Sequence, residues 1–176
     1  MDDLTKHLRW PVLEKDDPAL LKEIRRLLTT RVTGDPYSAD GQFAESIALL
    51  PTGLRAMAAT HWLDISLTFD SITWHFGNFS ELRLVAYTEM GLHELGLHDL
   101  AQCFAEAKEL MLPLLARRTD TDGNPNEILK RAGLEERGDE LKQRAWPLDD
   151  LGPGRSLIYE SWIRYARQHP ERVFES

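Results

Sequence analysis

Leu50 to Leu115 reads LPTGLRAMAATHWLDISLTFDSITWHFGNF and then SELRLVAYTEMGLHELGLHDLAQCFAEAKELMLPLL. The stretch holds three helical patterns in a row. About Thr52 to Phe69 carries Leu54, Met57, Ala58, Trp62, Ile65 and Phe69 at helical spacing,. Asn78 followed by Glu81 is a capping-box pattern, so a second helix starts there and ends near Gly96,. Asp99 followed by Gln102 repeats the pattern for a third helix that ends near Arg117,. Only Gly96 to His98 separates the last two, which predicts an antiparallel helix hairpin,.

The flanks extend the same class. Asp17-Pro18 opens a helix from about Pro18 to Thr30, with the acid as cap and Pro in the first turn,. Gly34-Asp35-Pro36 stops it, and Tyr37 to Gln42 is loop,. Phe43 to Leu50 is a short helix, and Asp70 to Phe79 a helical turn or tight connection. Thr119 to Asn126 is a surface loop, and Asn124-Pro125-Asn126-Glu127 opens a helix that reaches Arg131,. After Gly133, Leu134 to Ala145 continues as another. Pro147 to Gly154 is loop, and Ser156 to Gln168 is the last helix, with Ile158, Tyr159, Trp162, Tyr165 and Ala166 on one stripe,. No repeat and no alternating strand pattern appears. The expected fold is all-α, a single-domain helical bundle over residues 1–176, with 1–17 as an N-terminal extension.

Composition narrows the function. The 176 residues suit one domain, and 28% charged residues with five Trp and six Phe describe a globular chain,. No apolar run approaches the ~20 residues of a membrane span, and the start MDDLTKHLRW lacks the apolar core of a signal peptide,. Cytoplasm is the expected compartment. Cys103, the single cysteine, falls on an apolar helix face and reads as a small hydrophobe,. The net charge of −8 argues against direct binding of nucleic acid or an anionic membrane,. Residues 61–115 hold eight acids against Arg83 and Lys108, whereas the two flanking segments are each nearly balanced.

The excess sits on the central helices. In the third of them, Leu100, Cys103, Ala107, Leu110, Met111 and Leu114 share one side, and Asp99, Gln102, Glu106 and Glu109 line the other,. In the second, Leu82, Val85, Ala86, Met90 and Leu92 form the apolar arc, with Glu89 and His93 inside it and four apart,. In the first, His61, Asp64 and Thr68 make a polar line beside the apolar face. Ionisable groups on such faces need partners. Three readings stay open for His61, Asp64, Thr68, Glu89 and His93: a buried network that fixes helix register, a metal site, or a small-molecule pocket or acid/base site. No metal ligand set is assigned, because Glu89-x-x-x-His93 occurs once and is not the paired Glu-x-x-His of helical bundles,. Asp120 to Asn124 lacks the ligand positions of a calcium loop and reads as a turn with helix caps,. No cofactor motif or nucleophile motif is present, and no catalytic residue is assigned.

Leu50-Pro51 ahead of an Arg-bearing helix, an aromatic segment closing on Phe76-Gly77-Asn78, the Leu92 to Leu97 turn with Gly96 before an Ala-rich helix, and Tyr165, His169-Pro170 and Phe174 near the end occur in that order. In this the chain resembles the DNA-mimic-protein-like family, a bacterial all-helical domain, over about half its length. Asp70-Ser71-Ile72-Thr73 replaces the family's Gly-Gly. The resemblance implies an α-helical fold and a dimer. For the best-understood member it implies a protein that presents carboxylates like DNA phosphates and occupies DNA-binding proteins.

The first expectation is therefore a non-enzymatic acidic protein that engages a basic macromolecule, a DNA-binding protein or a toxin, through Glu94, Asp99, Glu106 and Glu109. The alternatives are a helical-bundle enzyme or metal-binding protein using His61, Asp64, Glu89 and His93, and a structural role in a homodimer.

Overall fold

The computed structural model describes residues 9–117 and 123–175. Asp120, Thr121 and Asp122 of the calcium-like turn lie outside the described residues. The architecture is an all-α bundle. Among the described residues there is no strand, only an isolated bridge between Asp150 and Ser156. Among the described residues a short 3-10 turn, Pro11–Glu14, precedes ten α-helices. These are α1 Asp17–Arg31, α2 Gln42–Ala48, α3 Thr52–Phe69, α4 Ile72–Asn78, α5 Leu82–Glu94, α6 His98–Leu115, α7 Pro125–Arg131, α8 Glu135–Asp149, α9 Leu157–Gln168 and α10 Glu171–Phe174.

Helix α3 is the axis of the bundle. It packs against α1, α2, α4, α5, α8, α9 and α10, most extensively against α5. It is buried on most of its circumference, with Leu54, Met57, Ala59, Leu63 and Leu67 in the core. A helix apolar all round belongs in the middle of a bundle. Small residues let its neighbours approach. A Cβ on Gly91 of α5 would lie 3.1 Å from the Ala56 backbone, and one on Gly53 would lie 2.5 Å from Tyr165 and 2.8 Å from the Arg172 carbonyl. Gly53→Ala should therefore push α3 off α9 and α10 and cost about 1–3 kcal/mol. A thermal melt unchanged by this substitution would show that the contact yields without strain.

Several ends differ from the sequence reading. Asp16, not Asp17, caps α1, accepting from the Ala19 N–H at 2.9 Å. Ile72–Asn78 is a full helix capped by Ser71. Helix α5 starts after Glu81, whose carboxylate caps the Leu84 N–H at 2.7 Å, so Asn78 is not its cap. Helix α6 starts at His98 with no side-chain cap, which leaves Asp99 in its first turn. Helix α8 runs through Pro147 to Asp149, where loop was expected. The capping box at Asn124 and Glu127 is formed as read. The hairpin of α5 and α6 is formed, and the turn between them carries Gly96 in the left-handed region at φ 73°.

The apolar arc assigned to α5 is rotated. Leu82 is 68% and Met90 59% exposed, and Ala86 is exposed too. The buried face is Leu84, Val85, Thr88, Gly91 and Leu92. Gly and Thr weigh little in a hydropathy wheel, yet they allow the close approach to α3. Helix α6 buries Leu100, Cys103, Ala107 and Met111 as expected.

Candidate functional site

A cleft of about 1540 Å³ opens between α1, the C-terminal part of α3, the end of α8, the 150–156 loop and α9. Two buried carboxylates form part of its lining. Asp64 comes from α3 and Asp149 from the last turn of α8, each 4% exposed. Ser156 joins them. Its hydroxyl donates to Asp64 and lies 3.2 Å from Asp149 Oδ1, which also accepts from the Ile158 N–H at 2.9 Å. The same Ser156 oxygen caps α9 by accepting from the Tyr159 N–H at 3.2 Å.

Hydrogen counting constrains this cluster. A serine hydroxyl has one proton and two lone pairs. It can donate to one carboxylate only, so the second contact is a good hydrogen bond when that carboxyl brings its own proton. The electrostatics make Asp149 the carboxyl that takes up this proton, below about pH 6. Burial and the neighbouring Asp64 charge push its pKa up to about 6, although the Ile158 N–H pulls the other way,.

An aromatic and cationic wall stands beside the pair. His61 Nδ1 and the Tyr159 hydroxyl lie 2.8 Å apart, and the Arg25 guanidinium sits 4.4 Å from the centre of the Tyr159 ring. Burial lowers the His61 pKa, so its imidazole is held neutral at pH 7. Burial and the Asp64 charge raise that of Tyr159. Phe69 and Trp146 also line the cleft, 83% and 51% exposed. They add aromatic area to a concave surface that already carries convergent polar groups, the composition of a small-molecule pocket.

The polar residues read from the sequence divide. Asp64 lines the cleft and Thr68 lines it from an exposed position, while His61 is outside the lining and touches it only through the Tyr159 hydroxyl. Glu89 and His93 are elsewhere. Glu89 pairs with Lys108 of α6 at 2.5 Å, and His93 is exposed beside His98. Helices α3 and α5 do pack, but their polar residues are not each other's partners. Among the described residues no three His, Cys, Asp or Glu side chains are grouped to hold a metal ion.

The acids read as a partner face also divide. Glu94 accepts from the Tyr165 hydroxyl and pairs with Arg172 at 2.6 Å. Glu106 pairs with Arg137 at 2.7 Å and Arg144 at 2.8 Å, and hydrogen bonds from Arg144 and Gln102 hold its pKa down at about 2. Asp99 and Glu109 are exposed. Arginines of α8 and α10, far along the chain, thus neutralise Glu106 of α6 and Glu94 of α5.

Asp149, Ser156 and Tyr159 were absent from the sequence reading of the site. Asp149 fell in a stretch read as loop because of Pro147, and 85 residues separate it from Asp64. Ser156 was legible only as a helix start. A serine cap beside two consecutive aspartates, Asp149-Asp150, was the one local signal.

No family model matches the chain, and no curated protein or solved structure matches it. No helix among the described residues is long and apolar enough to cross a membrane.

Proposed function

We propose that this protein is a small-molecule-binding helical domain whose ligand sits in the cleft between α1, α3 and α9. One observation carries the reading: two buried, hydrogen-bonded carboxylates and two exposed aromatic rings line the same cavity. The carboxylates supply orientation, and the rings supply apolar area already open to solvent. The test is affinity selection of metabolites from a cell extract, read by mass spectrometry. Native protein should enrich at least one compound about tenfold over a Phe69→Ala, Trp146→Ala double variant. Both side chains are more than half exposed, so the variant should melt within a few degrees of native,. Equal recovery by the two proteins would overturn the reading.

A second reading is the engagement of a basic macromolecule, such as a DNA-binding protein, through α6. The exposed positions of Asp99 and Glu109 favour it. Asp99→Lys with Glu109→Lys should then slow association and remove its salt dependence, because exposed charges act on encounter over about 8–10 Å. An association rate with a purified basic DNA-binding protein that is indifferent to both salt and the substitutions would exclude it.

A further inference from the structure

Acids elsewhere in the bundle that are half-buried have found cations. Lys108 meets Glu89, Arg172 meets Glu94, and Arg137 and Arg144 meet Glu106. Asp64 and Asp149 are more deeply buried than any of these, and no ion pair is made by either among the described residues. Buried carboxylates are ordinarily paired with a cation or kept neutral by a proton. Here a proton on Asp149, shared through Ser156, does that duty only below about pH 6, and above it the pair is left anionic.

The nearby cations do not fill the gap. Arg155 is held by Glu160 at 2.6 Å, and Arg167 by Asp17 at 2.6 Å and by the carbonyls of Leu13 and Lys15. Arg25 lies on the Tyr159 ring. Arg164 is exposed, and Asp150 turns its carboxylate to the Gly152 N–H. His61, which meets the Tyr159 hydroxyl beside the cleft, is held neutral by burial. A deep anionic pair with no cation thus shares a cavity with two exposed aromatic rings, and ring faces also attract cations.

We propose that the cleft takes a protonated amine carried on an aromatic ring, the ammonium on Asp64 and Asp149 and the ring against Phe69 and Trp146. This rests on the small-molecule reading above and names the chemical class of its ligand. Binding exchanges one charge for another. Below about pH 6 the ammonium arrives and the proton held by Asp149 leaves to solvent, so that both carboxylates are ionised in the complex. Affinity therefore rises with pH until Asp149 is already ionised in the free protein.

The experiment is calorimetric titration at about physiological salt with three probes of matched shape: phenethylamine, 2-phenylethanol and 3-phenylpropionate. The native protein should bind the amine at least about tenfold more tightly than the other two. Amine affinity should fall about tenfold from pH 7 to pH 5, as expected for one proton displaced from a group titrating near 6,. Asp64→Asn and Asp149→Asn should each weaken the amine about tenfold or more, while Glu109→Gln, a surface control, should not. Thermal melts confirm that each variant is folded. If the alcohol binds as well as the amine, or the acid binds better, the cation inference falls while the cleft reading stands; Arg25 and Arg164 would then lead recognition. If none of the three binds, both fall. An amine bound equally by native protein and both Asn variants would show only general attraction to an acidic surface, which also overturns the inference.

Discussion

Asp149→Asn is expected to stabilise the protein above pH 7, by on the order of 2–3 kcal/mol. The sign follows from linkage. Asp149 titrates near 6 in the fold, above the ordinary 3.8 of an aspartate that it keeps in the unfolded chain. A group whose pKa is raised on folding contributes stability below its unfolded value and loses it as pH rises through the folded one. About two pKa units correspond to roughly 3 kcal/mol. Asparagine keeps an acceptor for the Ile158 N–H, offers Ser156 a donor in place of the carboxyl proton, and carries no charge to desolvate. Urea melts of native and variant at pH 4 and pH 8 check it: a gap at pH 8 that closes at pH 4. A variant that is less stable at pH 8 would mean that Asp149 is ionised and satisfied there. Stabilisation by removing a site carboxylate is the usual sign of a residue kept for function.

The second large effect belongs to His75, and its sign is opposite. His75 is fully buried among Phe76, Phe79 and Phe104, with Nδ1 3.1 Å from Ser66 Oγ and no partner for Nε2 among the described residues. Burial drives its pKa down to about 3, from 6.5, while the Trp62 carbonyl opposes the shift weakly. The unfolded chain therefore takes up a proton that the native state refuses. Stability is complete above pH 6.5 and drains as pH falls toward 3. Between pH 7 and pH 5 the loss amounts to about 2 kcal/mol. Asp149 offsets part of it over the same interval, since its protonation stabilises the fold. His75→Leu keeps the apolar volume and removes the titration. The variant should be at least as stable at pH 5 as at pH 7, whereas Asp149→Asn should show a steeper acid loss than the native protein. A His75→Leu variant with the native pH profile would show that the imidazole reaches a proton acceptor in the fold.

Both effects arise from groups that only the folded chain brings together, and this separates what the sequence could and could not show. Helices α3, α6 and α9 were legible because each carries a full apolar stripe over more than three turns. The stop at Leu50-Pro51 and the cap at Asn124 fixed neighbouring ends. The buried face of α5 was not legible. Thr88 and Gly91 form part of it, and a wheel weighted by hydropathy turns instead toward Leu82 and Met90, which the fold leaves in water. The same rotation moves Glu89 onto Lys108 and His93 into solvent. Part of the cleft was visible as Asp64 and Thr68 of the polar line on α3. The rest depends on α8 passing through Pro147, which lacks the N–H that a helix interior needs and so read as a stop. The helix continues only two residues past Pro147, so the disturbance is confined to its final turn,. Charge counting also misled. Residues 61–115 are rich in acids in the sequence, but Arg137, Arg144 and Arg172 return from later helices to Glu106 and Glu94.

The cleft as the working site of this protein is tested most directly by a fragment screen read through ¹H–¹⁵N correlation spectra of assigned native protein. A few hundred small aromatic amines, alcohols and acids would suffice. Shifts from bound fragments should concentrate on the Trp146 indole, the backbone of Phe69, the 150–156 loop and the first turn of α9. They should vanish in the Phe69→Ala, Trp146→Ala variant. Shifts that gather instead on the exposed Leu82 and Met90 side of α5, or on Asp99 and Glu109 of α6, would contradict the account.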